Sequence, residues 1–362
     1  MGREFPQGDA AGAGRRKIII AIMSKKKKAT VIIIAVAVLA AVGAIIATGS
    51  NKGEGDAEAE DADTVSVPQF NAENAYKSIV EQCSFGPRVP NTEAHAKCAD
   101  YIVAAFEKCG YTVTRQTATL PRYDGVQMKS VNIFATCDTV SERRILISAH
   151  WDSRPWADQD ADEANHKKPV MAANDGASGV AVMLELARIL KMQKPGIAVD
   201  FVCFDTEDSG TPEWDKTGDD QKDEASWCLG SQYFAANLPS NAYRPMYGVN
   251  LDMVGGKGAK FLQEGFSKRF APGVVDKIWA AAALAGYSAV FPTQDGGYAT
   301  DDHLPMNQIA GIPTVDIIPC YTDYESSFGP TWHTVNDTPE NIDRVTLKAV
   351  GQTMLQLIYK EK

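Results

Sequence analysis

From about Phe70 to the carboxyl terminus, short apolar runs of strand length alternate with stretches of helical length, and this alternation restricts the chain to an α/β architecture. Residues 130–137, 144–149, 197–204, 247–252 and 314–319 read as strands. Residues 71–82, 94–109, 178–192, 225–237, 272–285 and 339–359 read as helices. That order predicts a central, mainly parallel sheet covered by helices on both faces. The most apolar run, IAVDFVCF at 197–204, breaks into DTEDSG and so delivers two adjacent acids, Glu207 and Asp208, to the carboxyl edge of the sheet. Ligands bind at that edge in open α/β folds.

The amino terminus is a separate object. Residues 25–28 are four lysines, and residues 29–49, ATVIIIAVAVLAAVGAIIATG, carry no charge. About 20 apolar residues span a bilayer as a helix, and flanking lysines stay cytoplasmic. Signal-peptide cores are usually shorter, so residues 1–49 are expected to be a cytoplasmic basic segment and transmembrane anchor, with a cleaved signal as the alternative. Met23 is a second candidate start. Residues 50–69, rich in Gly, Glu, Asp and Ala, read as a flexible acidic linker. Residues 70–362 remain as the catalytic domain.

The 44% hydrophobic content is enough for a substantial core, and a net charge of −10 argues against nucleic acid as a partner. Seven scattered cysteines show no CxxC spacing, which disfavours a zinc knuckle or a thioredoxin-like site. Two polar connections, residues 156–169 and 209–224, are long for a compact domain; such loops tend to be functional.

Chemistry-bearing residues recur at strand ends: AHWD at 149–152, ANDGASG at 173–179, FDTED at 204–208, NLD at 250–252, TDDHLP at 300–305 and TWHT at 331–334. Each has a plain explanation. Asp175 can cap a helix, His150 can be a hydrogen-bonded core histidine, Asp252 can cap a loop, and His333 can pack against Trp332. Taken together, the acids and histidines form the donor types that hold a catalytic zinc with one open position.

With these motifs in their order, the chain resembles the zinc aminopeptidase-like fold over roughly four-fifths of its length, and within it the animal-type glutaminyl-peptide cyclotransferases (glutaminyl cyclases) and their bacterial relatives. The resemblance implies a three-layer α/β fold with a mostly parallel mixed sheet, one zinc per chain, and conversion of amino-terminal glutamine of peptides or proteins to pyroglutamate with release of ammonia. It makes Asp175, Asp208 and His333 the zinc ligands and Glu207 the proton-transfer residue. Asp252 and Asp301 become its hydrogen-bonding partners, and Trp332 and Trp214 line the substrate pocket. The flanking lysines send the bulk of the chain outward, so the catalytic domain is expected outside the cytoplasm, in a bacterial periplasm, or secreted if the signal is cleaved. Two positions depart from the animal pattern: the second acid of the pair is the shorter Asp208, and Asp316 stands where the animal enzymes have a histidine. The rival reading is a two-zinc aminopeptidase, in which His150 and Asp252 hold a second zinc, Asp175 bridges, and Glu207 activates water. A membrane-tethered binding domain is the non-enzymatic alternative.

Overall fold

The computed structural model describes residues 66–137, 141–324 and 326–361. The expected membrane anchor at 29–49 and most of the acidic linker lie outside the described residues. Among those described, no helix is long and apolar enough to cross a membrane.

Six strands form one sheet: β1 (Thr112–Pro121), β2 (Gln127–Thr136), β3 (Arg144–His150), β4 (Ala198–Phe204), β5 (Gly248–Leu251) and β6 (Thr314–Ile317), in the order β1-β2-β4-β3-β5-β6. β3, β4, β5 and β6 are mutually parallel, while β1 and β2 add an antiparallel edge. Because side chains alternate across a strand, Ile145, Ile147, Val199 and Phe201 enter the larger core on one face, whereas Leu146, Val202 and Phe204 enter a smaller core on the other. Both faces are therefore covered. The larger core takes in α1 (Ala72–Ser84), α2 (Glu93–Lys108), α3 (Ala177–Met192), α7 (Pro272–Leu284) and α9 (Arg344–Lys360). The smaller takes in residues of α5 (Leu229–Ala236) and α8 (His303–Gln308). Two short helices, α4 (Asp220–Glu224) and α6 (Gly265–Phe270), complete the set. This is the expected three-layer mixed-sheet fold.

The elements follow their sequence in outline; the short helices α4, α6 and α8 were not expected, and three further differences have a local cause. β1 was not expected: TVTRQTATLP has no apolar alternation, and it forms by pairing with β2 along its whole length as an edge strand. The helix expected at 225–237 begins only at Leu229, because Cys228 takes a left-handed conformation (φ 57°). The terminal helix expected from 339 starts as a single 3-10 turn, Pro339–Asn341, and α9 proper begins at Arg344 behind the cap of Asp343.

The fold brings functional segments together because β3 sits between β4 and β5, so successive crossovers leave β3 on opposite sides. A crevice opens at such a switch point. The carboxyl ends of β3, β4 and β5 deliver His150, Glu207–Asp208 and Asp252 to it. α3 closes one side and is buried nearly all round, as an interior helix must be. Its approach depends on Gly179, where a Cβ would lie 2.2 Å from the Leu251 carbonyl oxygen and 2.7 Å from the Ala149 Cβ. Gly179→Ala is therefore expected to destabilise the domain by about 1–3 kcal/mol through overpacking, read as a lower urea midpoint; an unchanged midpoint would show that α3 can retreat without cost.

Candidate active site

The acid pair is held by a third acid. The Asp152 carboxylate, fully buried just beyond β3, accepts the backbone N–H groups of Glu207 (3.1 Å) and Asp208 (3.2 Å). Thr206, immediately before them, has φ 55°, and Cys228 returns to bond the Glu207 carbonyl through its own N–H (3.0 Å). Met253, beside Asp252, and His333 are also left-handed (φ 49° and 53°). Strained non-glycine backbone of this kind concentrates at functional sites.

Around this loop the structure gathers the residues singled out in the sequence. Donor atoms of Asp175, Asp208 and His333 lie within 4.8 Å of one another, as do those of His150, Asp175 and Asp252. His333 Nε2 is 3.1 Å from Asp208 Oδ1 and 3.5 Å from Asp175 Oδ2. The shorter acid at 208 thus still reaches the imidazole. His150 Nε2 is 3.0 Å from Asp175 Oδ1 and 3.2 Å from Asp252 Oδ1. The helix-cap explanation of Asp175 does not hold, since Gly176 is the N-cap of α3 and no side chain bonds there. Instead Asp337 accepts the N–H groups of Asn174 (2.7 Å) and Asp175 (3.0 Å) and fixes that turn.

A divalent cation fits this donor set. Asp175 Oδ2 and Asp208 Oδ2 are buried with no hydrogen-bond partner, a costly arrangement unless a cation completes them. Arg154, paired with Asp158 through two 2.6 Å bonds, lies only 3.4 Å from Asp208 Oδ1 and offsets part of the charge. His333 is oriented by stacking between Trp332 (ring centroids 3.9 Å apart) and Trp227 (5.9 Å, 4° between planes).

Beside the cluster is a cavity of about 310 Å³ whose wall includes Glu207, Asp208, Asp252, Asp301, Trp227, Tyr298, Phe328 and Trp332. Burial, reinforced by the charges of Asp208, Asp302 and Asp301, raises the Glu207 carboxyl well above the usual range against the pull of His150. Burial and the Asp301 charge push Asp252 up to about 7. For His150 burial works the other way, but its contacts with Asp152, Asp175 and Asp252 prevail and raise the imidazole well above its ordinary value.

Two expectations about partners need correction. Trp214 is not among the residues lining the cavity: it packs against Trp156 (6.2 Å) and His166 (6.3 Å), with Lys167 over its ring, where the two long loops meet. Trp227, at the end of the same loop, takes the place expected of it. Asp252 and Asp301 are not hydrogen-bonded to Glu207 as expected: Glu207 Oε1 accepts from Cys228 Sγ at 3.3 Å, and Asp301 Oδ2 accepts from the Asn250 amide at 2.9 Å. Sequence reasoning also missed Arg154, Asp158 and Asp337, whose roles arise only in three dimensions. The two long loops did carry a signal, since Asp158 lies in one of them.

A mixed α/β sheet whose strand ends gather carboxylates and two imidazoles beside a small cavity is the zinc aminopeptidase-like class. The chain belongs to peptidase family M28, whose family model matches residues 132–358. It is similar to the glutaminyl cyclase of Bacteroides thetaiotaomicron solved with N-acetylhistamine (48% identity, TM-score 0.79, 82% of this chain and 100% of that one). It is also similar to aminopeptidase YwaD of Bacillus subtilis (26% identity over 76% of this chain) and to the glutaminyl-peptide cyclotransferase of Bos taurus (24% identity over 64%). The chain spans 54% and 65% of the length of these two curated relatives.

Two outcomes follow from this geometry. Asp208→Asn is expected to lose bound zinc, measured by elemental analysis after gel filtration; retention of wild-type zinc would remove Asp208 from the donor set. Glu264, whose carboxylate accepts the Phe266 and Ser267 N–H groups and faces His303, is held down at about 2 although burial opposes its ionisation. A depressed acid stabilises the fold above its unfolded value, near 4.5, and loses that stabilisation as pH falls towards 2. Glu264→Gln should therefore flatten the acid limb of the stability–pH curve between those values, and an unaltered limb would contradict this.

Proposed function

We propose that this protein is a zinc-dependent glutaminyl-peptide cyclotransferase, converting amino-terminal glutamine of peptides or proteins to pyroglutamate with loss of ammonia. The observation that carries the reading is Glu207: a buried carboxyl with a raised proton affinity on the wall of a small cavity, next to the Asp175, Asp208 and His333 donor set. Likeness to the Bacteroides cyclase along the whole of that chain supports it.

In this reading the substrate's amine attacks its own side-chain amide carbon, so no water enters the reaction. Asp175, Asp208 and His333 would hold the zinc, which when bound would supply Lewis-acid polarisation of the amide oxygen. Glu207 takes a proton from the amine and returns one to the departing nitrogen, a shuttle suited to a carboxyl whose affinity for protons is raised. Trp227 and Trp332 line the cavity that takes the small side chain, and its volume suits one glutamine with its amine. Asp301 and Asp252 stand at the cavity wall, and the charge of Asp301, with those of Asp208 and Asp302, helps keep Glu207 protonatable.

The two-zinc aminopeptidase has one observation in its favour, that Asp175 also belongs to a second donor set with His150 and Asp252. In the structure His150 Nε2 lies 3.0 and 3.2 Å from these acids, and the metal content of the purified protein separates the readings, one zinc per chain for the cyclase and two for the peptidase.

Residues 29–49 would tether the domain to a membrane with its bulk outside the cytoplasm, in a bacterial periplasm; the lysines at 25–28 support this orientation. Incubation of the protein with a Gln-initiated and a Leu-initiated dipeptide tests the activity. Ammonia from the first with its peptide bond intact is expected, and free amino acid released from either would overturn the reading. Glu207→Gln is expected to lower turnover by roughly 100-fold or more while zinc stays bound, measured as ammonia release alongside metal content. Loss of zinc from that variant would reverse the roles within the acid pair.

A further inference from the structure

Behind the cavity wall, away from the donor set, a second group of ionisable side chains is completely enclosed. His303, the first residue of α8, has no exposed surface. Its Nε2 is 3.2 Å from Glu264 Oε2, and its Nδ1 is 3.6 Å from Asp316 Oδ2 on β6. Donor atoms of His303, Asp316 and Asp301 lie within 4.8 Å of one another.

The framework holding this ring is rigid. Glu264 is already engaged by the backbone N–H groups of Phe266 (2.8 Å), Ser267 (2.6 Å) and Ala299 (3.2 Å), so the imidazole is not needed to satisfy it. Asn307, one turn along α8, donates to the Thr314 carbonyl (2.8 Å) and accepts the Thr314 N–H (2.9 Å), which pins α8 to β6. The Asp316 N–H donates to Ser267 Oγ (2.9 Å), tying β6 to α6. On the other side of Asp316 is Asn250. Its amide nitrogen donates both to Asp316 Oδ1 (3.3 Å) and to Asp301 Oδ2 (2.9 Å), and its oxygen accepts from Ser148 (2.7 Å). Asp301 lies on the cavity wall, and its carboxylate is within 4.8 Å of a Glu207 oxygen. The groups therefore stand in the order Glu264, His303, Asp316, Asn250, Asp301, Glu207: hydrogen bonds join Asp316 to Asp301 through Asn250, while the imidazole meets Glu264 and Asp316 in ion-pair contacts of 3.2 and 3.6 Å.

We propose that His303 is a positioning residue for the reaction: wedged between Glu264 and Asp316, it orients Asp316 and, through the shared Asn250 amide, aims Asp301 at Glu207. The ring also keeps Glu264 apart from two further buried carboxyls; without it, three acids would face one another in an enclosed space, and Asp316 and Asp301 would turn to separate. His303 touches neither substrate nor the zinc donors. Its removal should therefore act on turnover rather than on substrate or metal binding.

The inference rests on the cyclase reading, and the test separates the two. Ammonia release from a Gln-initiated dipeptide is measured for the wild-type protein, His303→Leu, His303→Gln, Asp316→Asn and the double variant His303→Leu/Asp316→Asn, each with its zinc content and thermal midpoint. The expected result for His303→Leu is a kcat lower by roughly 10- to 100-fold, the scale of small misplacements near a reacting group, with KM within about twofold and zinc retained. His303→Gln, which keeps a donor towards Glu264, should recover part of the loss. Asp316→Asn, nearly isosteric, should lower kcat in the same way, which keeps the test decisive if the leucine variant does not fold. The double variant should be no worse than the poorer single, because the two residues act as one unit. Folded variants with wild-type kcat, single losses that multiply, or a rise in KM matching the fall in kcat would overturn the inference alone. A wild-type protein that releases no ammonia overturns the cyclase reading and this inference with it.

Discussion

The site is governed by one constraint, the burial of many carboxyls in a small volume. Asp152, Asp158, Asp175, Glu207, Asp208, Asp252 and Asp301 are all at most 9% exposed, and isolated charges cannot be carried at that depth. The fold meets the constraint in three ways. Arg154 neutralises Asp158 and leans on Asp208, backbone N–H groups are spent on Asp152 and Asp337, and Glu207 and Asp252 are left with raised proton affinity. Among the oxygens left without a partner are Oδ2 of Asp175 and of Asp208, beside His333, and Oδ1 of Asp252, beside His150; a divalent cation would answer the first two.

The same constraint gives His150 and His303 parallel positions. Each is an enclosed imidazole set between carboxyls, one beside the donor set and one behind the cavity wall. A histidine can supply positive charge or accept a proton without adding a metal, which makes it the natural spacer among buried acids. The acid pair Glu207–Asp208 can then have two distinct environments although its members are adjacent: Asp208 looks towards His333 and Arg154, while Glu207 looks towards Asp301 and the cavity.

Much of this was legible in the sequence because the parallel strands are apolar on both faces and stop abruptly at their functional ends. The run at 197–204 located β4 and, with it, Glu207 and Asp208. Small residues around Asp175 marked the start of α3. β1 was not legible, since an exposed edge strand is defined by its partner rather than by its own pattern. Trp227 was overlooked in favour of Trp214 because residues 225–237 read as helix, whereas the helix begins only at Leu229. The left-handed turn at Cys228, which bends Trp227 over His333, is set by bonds to Thr206 and Glu207 that no local propensity encodes. The engagement of Asp301 with the Asn250 amide, rather than with Glu207, likewise could be seen only in space.

The central claim is that a single cation, together with His150, balances the buried acids. The most direct measurement is anomalous diffraction at the zinc absorption edge from crystals of the protein as purified. The account predicts one peak per chain, between Asp175, Asp208 and His333, with His150 bonded to Asp175 or Asp252. A second full peak between His150 and Asp252 would contradict it and favour two-metal hydrolysis.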